Sequence, residues 1–313
     1  MRIHVFFWIS CSIALAQNQS TQYVTDLSGN RVSSAFADTA VSKDGNTKRE
    51  LTQSINGRTV PLEKVERRET TSGNTTTIEI ITTRYNPTGE TAMTERSVTQ
   101  REKLANGGSN EATRVYRSDV NGNLQESERR TASTQVQGAN STTDISIDRV
   151  NINGGFQNAE KRNIVSATSG NRTDTKEIVY RPSQNGTMSA ALQEVRTITK
   201  TGDTTSEQVA AYEPGVSGAL QLARQTVTTS TKDKAGNETR EVNLYAASID
   251  GRVQEPGAPQ QLKEQQSITR TVRPDGTVVE SLSVRRPSLA DPGKLGVPQK
   301  ISDTICKGSC ANP

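Results

Sequence analysis

Glycines in turn-like contexts recur along this chain at intervals of 32 or 33 residues. A period held over six successive steps is typical of tandem-repeat proteins, in which each repeat is one small supersecondary unit. We therefore expect an array of similar units with a turn at each of these glycines. The turn glycines of this first series are Gly57, Gly89, Gly122, Gly154, Gly186, Gly218 and Gly251.

A second series of glycines falls near the middle of each interval, in pairs such as Gly170-Asn171 and Gly202-Asp203. Such pairs favour two-residue β-hairpin turns, because glycine and asparagine accept positive φ at low cost. The segments between turns are rich in threonine and β-branched residues, as in Thr75–Thr83. This composition is typical of half-exposed strands.

The predicted fold class is all-β. Tandem repeats of about 32 residues each contribute two antiparallel strands to a long open meander, part of it single-layer or coiled. Apolar residues make up 31% of the chain, too few for a thick core. The strands lack the clean alternation of a sandwich and the aromatic girdles of a transmembrane barrel. A strand–helix repeat and disorder, above all in residues 17–45, are the alternatives. The sequence leaves undecided whether the sheet stays open, coils or closes.

A tyrosine ends the apolar run before most of the first-series glycines, usually six residues upstream. We expect these tyrosines to form a narrow hydrophobic seam in the sheet. The alternative is a ladder of exposed rings, which suits binding to a carbohydrate or an adhesion partner. The repeat tyrosines are Tyr85, Tyr116, Tyr180, Tyr212 and Tyr245.

The N-terminus has the features of a secretory signal peptide. Arg2 supplies a positive charge, residues 5–13 are mostly apolar, and Ala14-Leu15-Ala16 matches a cleavage site. We therefore predict cleavage after Ala16, with residues 1–16 as the signal, and a secreted, periplasmic or cell-surface protein without a transmembrane helix. The alternatives are a buried N-terminal strand and lipidation at Cys11.

Cleavage would leave two cysteines, Cys306 and Cys310. In an exported protein such a pair predicts a disulfide, here closing a small loop at the end of the chain. A Pro/Gly-rich segment interrupts the repeat rhythm just before this region. We therefore divide the mature chain into a β-hairpin repeat array (17–255) and a modified last repeat that acts as a cap (256–313). A recognition module is the alternative for the second part.

Catalytic side-chain combinations are scarce. The single histidine lies in the predicted signal peptide, so the mature chain has no Ser-His-Asp triad, Cys-His pair or histidine metal site. The stretch Asp119–Gly122 resembles a fragment of a calcium loop, but turn chemistry explains the same residues. We predict no enzymatic activity, no cofactor and no metal. A carboxylate-based hydrolase with two facing acids is the remaining enzymatic hypothesis.

The charges are interspersed along the chain, with a net charge of +4 and few aromatic residues. This pattern argues against nucleic-acid binding, which requires a basic patch and stacking aromatics. The predicted function is that of a secreted or envelope structural or interaction protein. The alternative is a carbohydrate-binding or adhesion module that uses exposed repeat tyrosines. The partners expected on this basis are another envelope protein or a polysaccharide.

Overall fold

The computed structural model describes residues 16–25, 31–43, 46–55, 58–215, 217–246, 261–288 and 294–307. All regular structure in these ranges is β-strand. Within the same ranges no helix is long and apolar enough to cross a membrane.

Eighteen strands form one sheet in the described residues. They are β1 (Ala16–Thr25), β2 (Arg31–Lys43), β3 (Asn46–Ile55), β4 (Arg58–Ser72), β5 (Thr75–Tyr85), β6 (Thr91–Lys103), β7 (Ser109–Ser118), β8 (Leu124–Gln137), β9 (Asn140–Val150), β10 (Phe156–Ser169), β11 (Arg172–Pro182), β12 (Met188–Thr201), β13 (Thr204–Pro214), β14 (Leu220–Lys232), β15 (Glu238–Ala246), β16 (Gln261–Val272), β17 (Thr277–Arg285) and β18 (Gln299–Lys307).

Each strand pairs antiparallel with the next one in the chain, so the predicted all-β meander of hairpin repeats is confirmed. The strand–helix alternative is not found, because Met188–Thr201 forms strand β12. Residues 16–25 and 31–43, the stretch for which disorder was considered, also form strands.

The sheet does not stay open, because its first and last strands are joined. Strand β1 pairs antiparallel with β18 from Gln19↔Lys307 to Val24↔Ser302. The ring of eighteen strands is therefore complete and has no unpaired edge. This answers the question that the sequence left undecided.

A β-bulge interrupts the even-numbered strand of eight successive odd–even pairs, from β3–β4 to β17–β18. In β11–β12, Val179 pairs with Leu192 and Tyr180 pairs with Ala190, so Ala191 is the extra residue. Bulges bend a strand and increase its twist, which is how curvature is built into closed sheets. One bulge per repeat gives a physical reason for closure.

The five first-series turns in the described residues, at Gly89, Gly122, Gly154, Gly186 and Gly218, share one geometry. In the β7–β8 turn, the amide of Gly122 donates to the carbonyl of Asp119 at 3.0 Å, and the amide of Asp119 donates to the carbonyl of Asn123 at 2.9 Å. Gly122 has φ of 82°, a conformation that side chains with a Cβ rarely adopt. Gly57 and Gly251 lie outside the described residues. The other first-series glycines with positive φ are Gly89, Gly154, Gly186 and Gly218.

The core is thin. Among the described residues, eight apolar and four polar side chains are buried. Four of the apolar ones fall at 32-residue intervals and share one face of the sheet. We call this the valine face, after Val115, Ile147, Val179 and Ala211. Such a distribution is that of a single-layer sheet that is wet on both sides.

Candidate functional surfaces

The five repeat tyrosines lie together on the opposite face, which we call the tyrosine face. They are carried by odd-numbered strands and are all half-buried. Neighbouring tyrosines are offset along the strand direction. Tyr212 pairs with Gln193, and Gln193 pairs with Ile178, so Tyr212 lies level with a residue two positions before Tyr180. Such a stagger accompanies strands that tilt in a closed sheet. The tyrosines therefore follow the circumference of the ring near one of its ends.

The most buried side chains are not those of the repeat tyrosines that we expected to form a hydrophobic seam. The buried position is one residue earlier in the chain, as with Val115 before Tyr116 and Val179 before Tyr180. Because side chains alternate across a strand, this residue points to the other face. The buried residue lies opposite the bulge of the neighbouring strand. Two residues of that strand face it there instead of one, so its side chain is covered more completely than that of the tyrosine.

Arginines cover two aromatic rings of the tyrosine face. The guanidinium of Arg96 lies 5.7 Å from the ring centre of Tyr116, and that of Arg129 lies 3.9 Å from the ring centre of Phe156. Cation–π contacts of this kind are attractive and hold the rings against the sheet.

Ion pairs repeat on the valine face at the strand ends near the tyrosines. Glu128 accepts hydrogen bonds from Arg130 and, at 2.8 Å, from Arg149. One repeat later, Glu160 accepts a hydrogen bond from Arg162 at 2.6 Å and one from Arg181 at 3.0 Å. Both carboxylates are buried in register beside the valine row, because Glu128 pairs with Val115 and Glu160 with Ile147.

The arginines decide the ionisation of these two glutamates. Burial alone would raise the pKa of Glu128, but the hydrogen bonds from Arg149 and Arg130 outweigh it and hold the pKa below its ordinary value. The pKa of Glu160 is lowered in the same way, with burial opposed by Arg181 and Arg162. Both side chains are therefore ionised structural groups.

Glu194 is a contrasting carboxylate on the valine face. It lies directly opposite Glu177 in the β11–β12 pair. Burial and the nearby charge of Glu177 raise its pKa. These two acids do face each other, as the hydrolase hypothesis requires, but Glu177 is engaged by Arg162 at 3.2 Å and the cavity described next lies on the other face.

A cavity of about 780 Å³ lies on the tyrosine face, across strands β5 to β11. Because seven successive strands contact it, this face is the concave, inner side of the ring. Most of its lining residues are polar, although apolar atoms form most of the exposed wall. The side-chain amide of Asn163 donates to Asp144 at 2.8 Å, and the hydroxyl of Ser133 donates to Asn110 at 3.0 Å. Tyr180 is the repeat tyrosine in the wall.

Turn chemistry accounts for the calcium-like fragment. The carboxylate of Asp119 accepts hydrogen bonds from the backbone amides of Asn121 at 2.8 Å and Asn123 at 2.9 Å. These bonds, first that from Asn123, lower the pKa of Asp119. Within the described ranges no group of three or more His, Cys, Asp or Glu side chains could hold a metal ion.

Two predicted processing features remain predictions. Cys306 lies in β18, whereas Cys310 falls outside the described residues, so the disulfide is untested. Ala16 is the first residue of β1, and the rest of the predicted signal peptide is also outside the described residues. The structure also shows what sequence reasoning missed: Tyr23, six residues before Gly29, pairs with Asp303 in the closing strand pair.

The chain matches no protein-family model and none of the curated proteins. Among solved structures it is similar to Pseudomonas aeruginosa OccK10 (OpdN), with a TM-score of 0.52 and 8% identity over 96% of this chain and 99% of that chain. OccK2 (OpdF) of the same organism, solved in complex with glucuronate, gives 0.51 and 8% over 93% and 95%. OccK5 (OpdH) gives 0.51 and 8% over 92% and 95%.

These structural neighbours are outer-membrane porins. At such low identity the likeness shows a shared fold and nothing finer. It agrees with the closed antiparallel ring described above.

Proposed function

We propose that this chain is a non-catalytic, extracytoplasmic interaction protein of the cell envelope. The observation that carries the proposal is the polar, charge-paired character of both faces of a closed single-layer sheet. A wall of this kind offers a large hydrophilic surface, and among its described residues we find no cluster of groups arranged for chemistry. The signal-like N-terminus and the envelope location of the porins with the same fold support the location.

The charges on the valine face argue against a lipid-facing role for the outer wall. A membrane barrel presents an apolar outer band about 25 Å tall, and an arginine or lysine at its centre costs about 2–4 kcal/mol. Here Glu177 and Arg196 lie near the middle of their strands on this face. The proposed protein therefore shares the ring architecture of porins but does not span a bilayer through this wall.

The first experiment tests export and insertion together. The full-length chain is produced in a Gram-negative host, and mass spectrometry determines the mature N-terminus. The expected N-terminus is Gln17, and the protein should be released from membranes by alkaline carbonate. An uncleaved N-terminus in the cytoplasm would contradict the location, and discrete single-channel conductance in planar bilayers would favour a porin-like channel over an interaction protein.

A carbohydrate ligand is the second candidate, and the inner cavity favours it. A half-buried tyrosine beside amide and carboxylate side chains is a chemistry that holds sugar rings and their hydroxyls. Titration with neutral oligosaccharides and glucuronate checks this by calorimetry. Replacing Tyr180 or Asn163 with Ala should abolish binding, whereas Tyr245→Ala, outside the cavity wall, should not; equal effects would contradict a site in the cavity.

A further inference from the structure

The exposed apolar side chains of the ring are concentrated at one end. Turns that follow odd-numbered strands all lie at this end, because the sheet is an antiparallel meander. Of the seven large apolar side chains that are exposed in the described residues, six lie in or next to these connections. They are Val120, Leu124, Val150, Ile152, Val297 and Ile301, and we call this end the apolar rim.

Three of these side chains project almost completely into solvent. The exposed fraction is 101% for Val120, 102% for Ile152 and 84% for Val297. Val120 and Ile152 occupy the same position of their turns, two residues before the glycine. In the sequence, the residue two positions before a first-series glycine is also apolar at Ile55, Val216 and Ile249. A turn tip gives no folding reason for this choice, since polar residues serve turns better.

The opposite end of the ring lacks this pattern. The equivalent tip of the β6–β7 turn is Ala105, and the equivalent tip of the β14–β15 turn is Lys234. The short hairpins at that end carry Asn74, Asn171 or Asp203. The two ends of one repeated hairpin therefore differ in a way that folding alone does not require.

Amphipathic side chains lie directly behind the apolar tips. Arg117, Arg149 and Arg181 follow one another at 32-residue intervals. Each is about half exposed and is ion-paired, with Glu95, Glu128 and Glu160 respectively. Tyr116 and Tyr180 precede two of them on the inner face. Apolar tips followed by arginine and tyrosine match the depth order of a membrane interface, where both residue types sit at the head-group level.

We propose that the apolar rim rests on a lipid bilayer surface and inserts its turn tips into the interface. Val120 and Ile152 lie near β8 and β9, whereas Val297 lies beside β18, roughly half-way around the ring of eighteen strands. A surface that contacts Val120, Ile152 and Val297 at the same time must extend across the whole rim. A lipid bilayer is a surface of that extent.

A protein partner fits this rim less well. Successive tips are separated by two strands, or about 10 Å, and polar turn residues fill the gaps. Stable protein interfaces need a contiguous, complementary area of about 1,000 Å² or more. Lipid is fluid and surrounds separate side chains individually.

The test is vesicle flotation of the mature protein, exported from the full-length chain, with phosphatidylcholine vesicles and with vesicles that also contain the anionic lipid phosphatidylglycerol. We expect binding to both vesicle types, because the apolar turn tips insert into either interface. The double variant Val120→Asn and Ile152→Asn should bind at least about tenfold more weakly, because two side chains lose their burial. Asparagine suits the turn, and circular dichroism verifies that the variant folds.

Two matched variants sharpen the test. Gln184 is the polar exception at a first-series tip, so Gln184→Ile should strengthen binding several-fold. Ala105→Ile places the same side chain at the equivalent tip of the opposite end and should leave binding unchanged. Equal gains from both changes would mean non-specific stickiness and would overturn the proposal.

Two further outcomes would also overturn it. One is the absence of binding to either vesicle type. The other is a rim-to-rim dimer in light scattering that the Val120→Asn, Ile152→Asn variant converts to monomer, since the rim would then bind a second copy. Neither outcome bears on export, which the mature N-terminus tests separately.

Discussion

Truncation of Val179 to alanine tests which face of the sheet stabilises the ring. The side chain is 3% exposed in β11, opposite the bulge of β12. The change removes two methyl groups, worth about 0.8 kcal/mol each, and leaves a small gap that a single-layer sheet relaxes around. We expect a loss of about 1.5–2 kcal/mol in unfolding free energy. The matched control is Val165→Ala on the tyrosine face of β10, where 42% of the side chain is exposed, with a loss of about 0.5 kcal/mol.

Repeat arrays unfold in parts, so a global melt alone is insufficient. Urea unfolding followed by circular dichroism gives the overall midpoint, and hydrogen exchange of backbone amides reports the local loss. Faster exchange in β11 and in its neighbours β10 and β12 is the expected result for Val179→Ala. If Val165→Ala costs as much or more, the valine row is not the core and the assignment of faces is refuted.

Three other changes probe charge and backbone at single positions. Glu128→Gln should cost about 1–2 kcal/mol of unfolding free energy, because the buried carboxylate accepts two arginine hydrogen bonds, whereas Glu102→Gln on the exposed end of β6 should cost no more than about 0.5 kcal/mol. Because the pKa of Glu128 is lowered, its stabilising contribution is present above the ordinary value of 4.5 and is lost as the pH falls through the lowered value. Chemical unfolding at several pH values measures this, and a stability difference between wild type and Glu128→Gln that persisted below both pKa values would contradict it. The raised pKa of Glu194 means that its stability contribution is greatest below 4.5 and is lost as the pH rises through the raised value. Glu194→Gln removes this loss and should therefore raise the melting temperature at neutral pH. A variant whose melting temperature varies with pH as that of the wild type does would refute this. Gly186→Ala should cost about 1–2 kcal/mol in thermal unfolding, since φ is 80°, and Gly155→Ala, which has ordinary φ and room for a Cβ, is the control that should lose clearly less.

The repeated hairpin could be predicted from the sequence because its determinants are local. Positive φ at Gly122 and Gly186 follows from turn chemistry that involves only neighbouring residues. The threonine-rich segments between turns form strands for an equally local reason. The face on which burial occurs could not be predicted in the same way. Tyr180 is the larger apolar group, but Val179 is the residue that two bulge residues cover, and a bulge depends on the pairing of two strands.

The closure of the sheet depends on a still more distant relation. Residues Tyr23 and Asp303 meet in the closing pair although nearly the whole chain separates them, and nothing in either stretch of sequence indicates that these two strands pair. The sequence does contain the cause of the curvature, because each bulge depends on the residue at one position of the repeat. The extra residue of the bulge is small in five successive repeats, from Ala92 through Ser127, Ala159 and Ala191 to Ala223. A small side chain lets the two strands approach at the point of bending, and each bend adds to the previous one because the repeats are in phase.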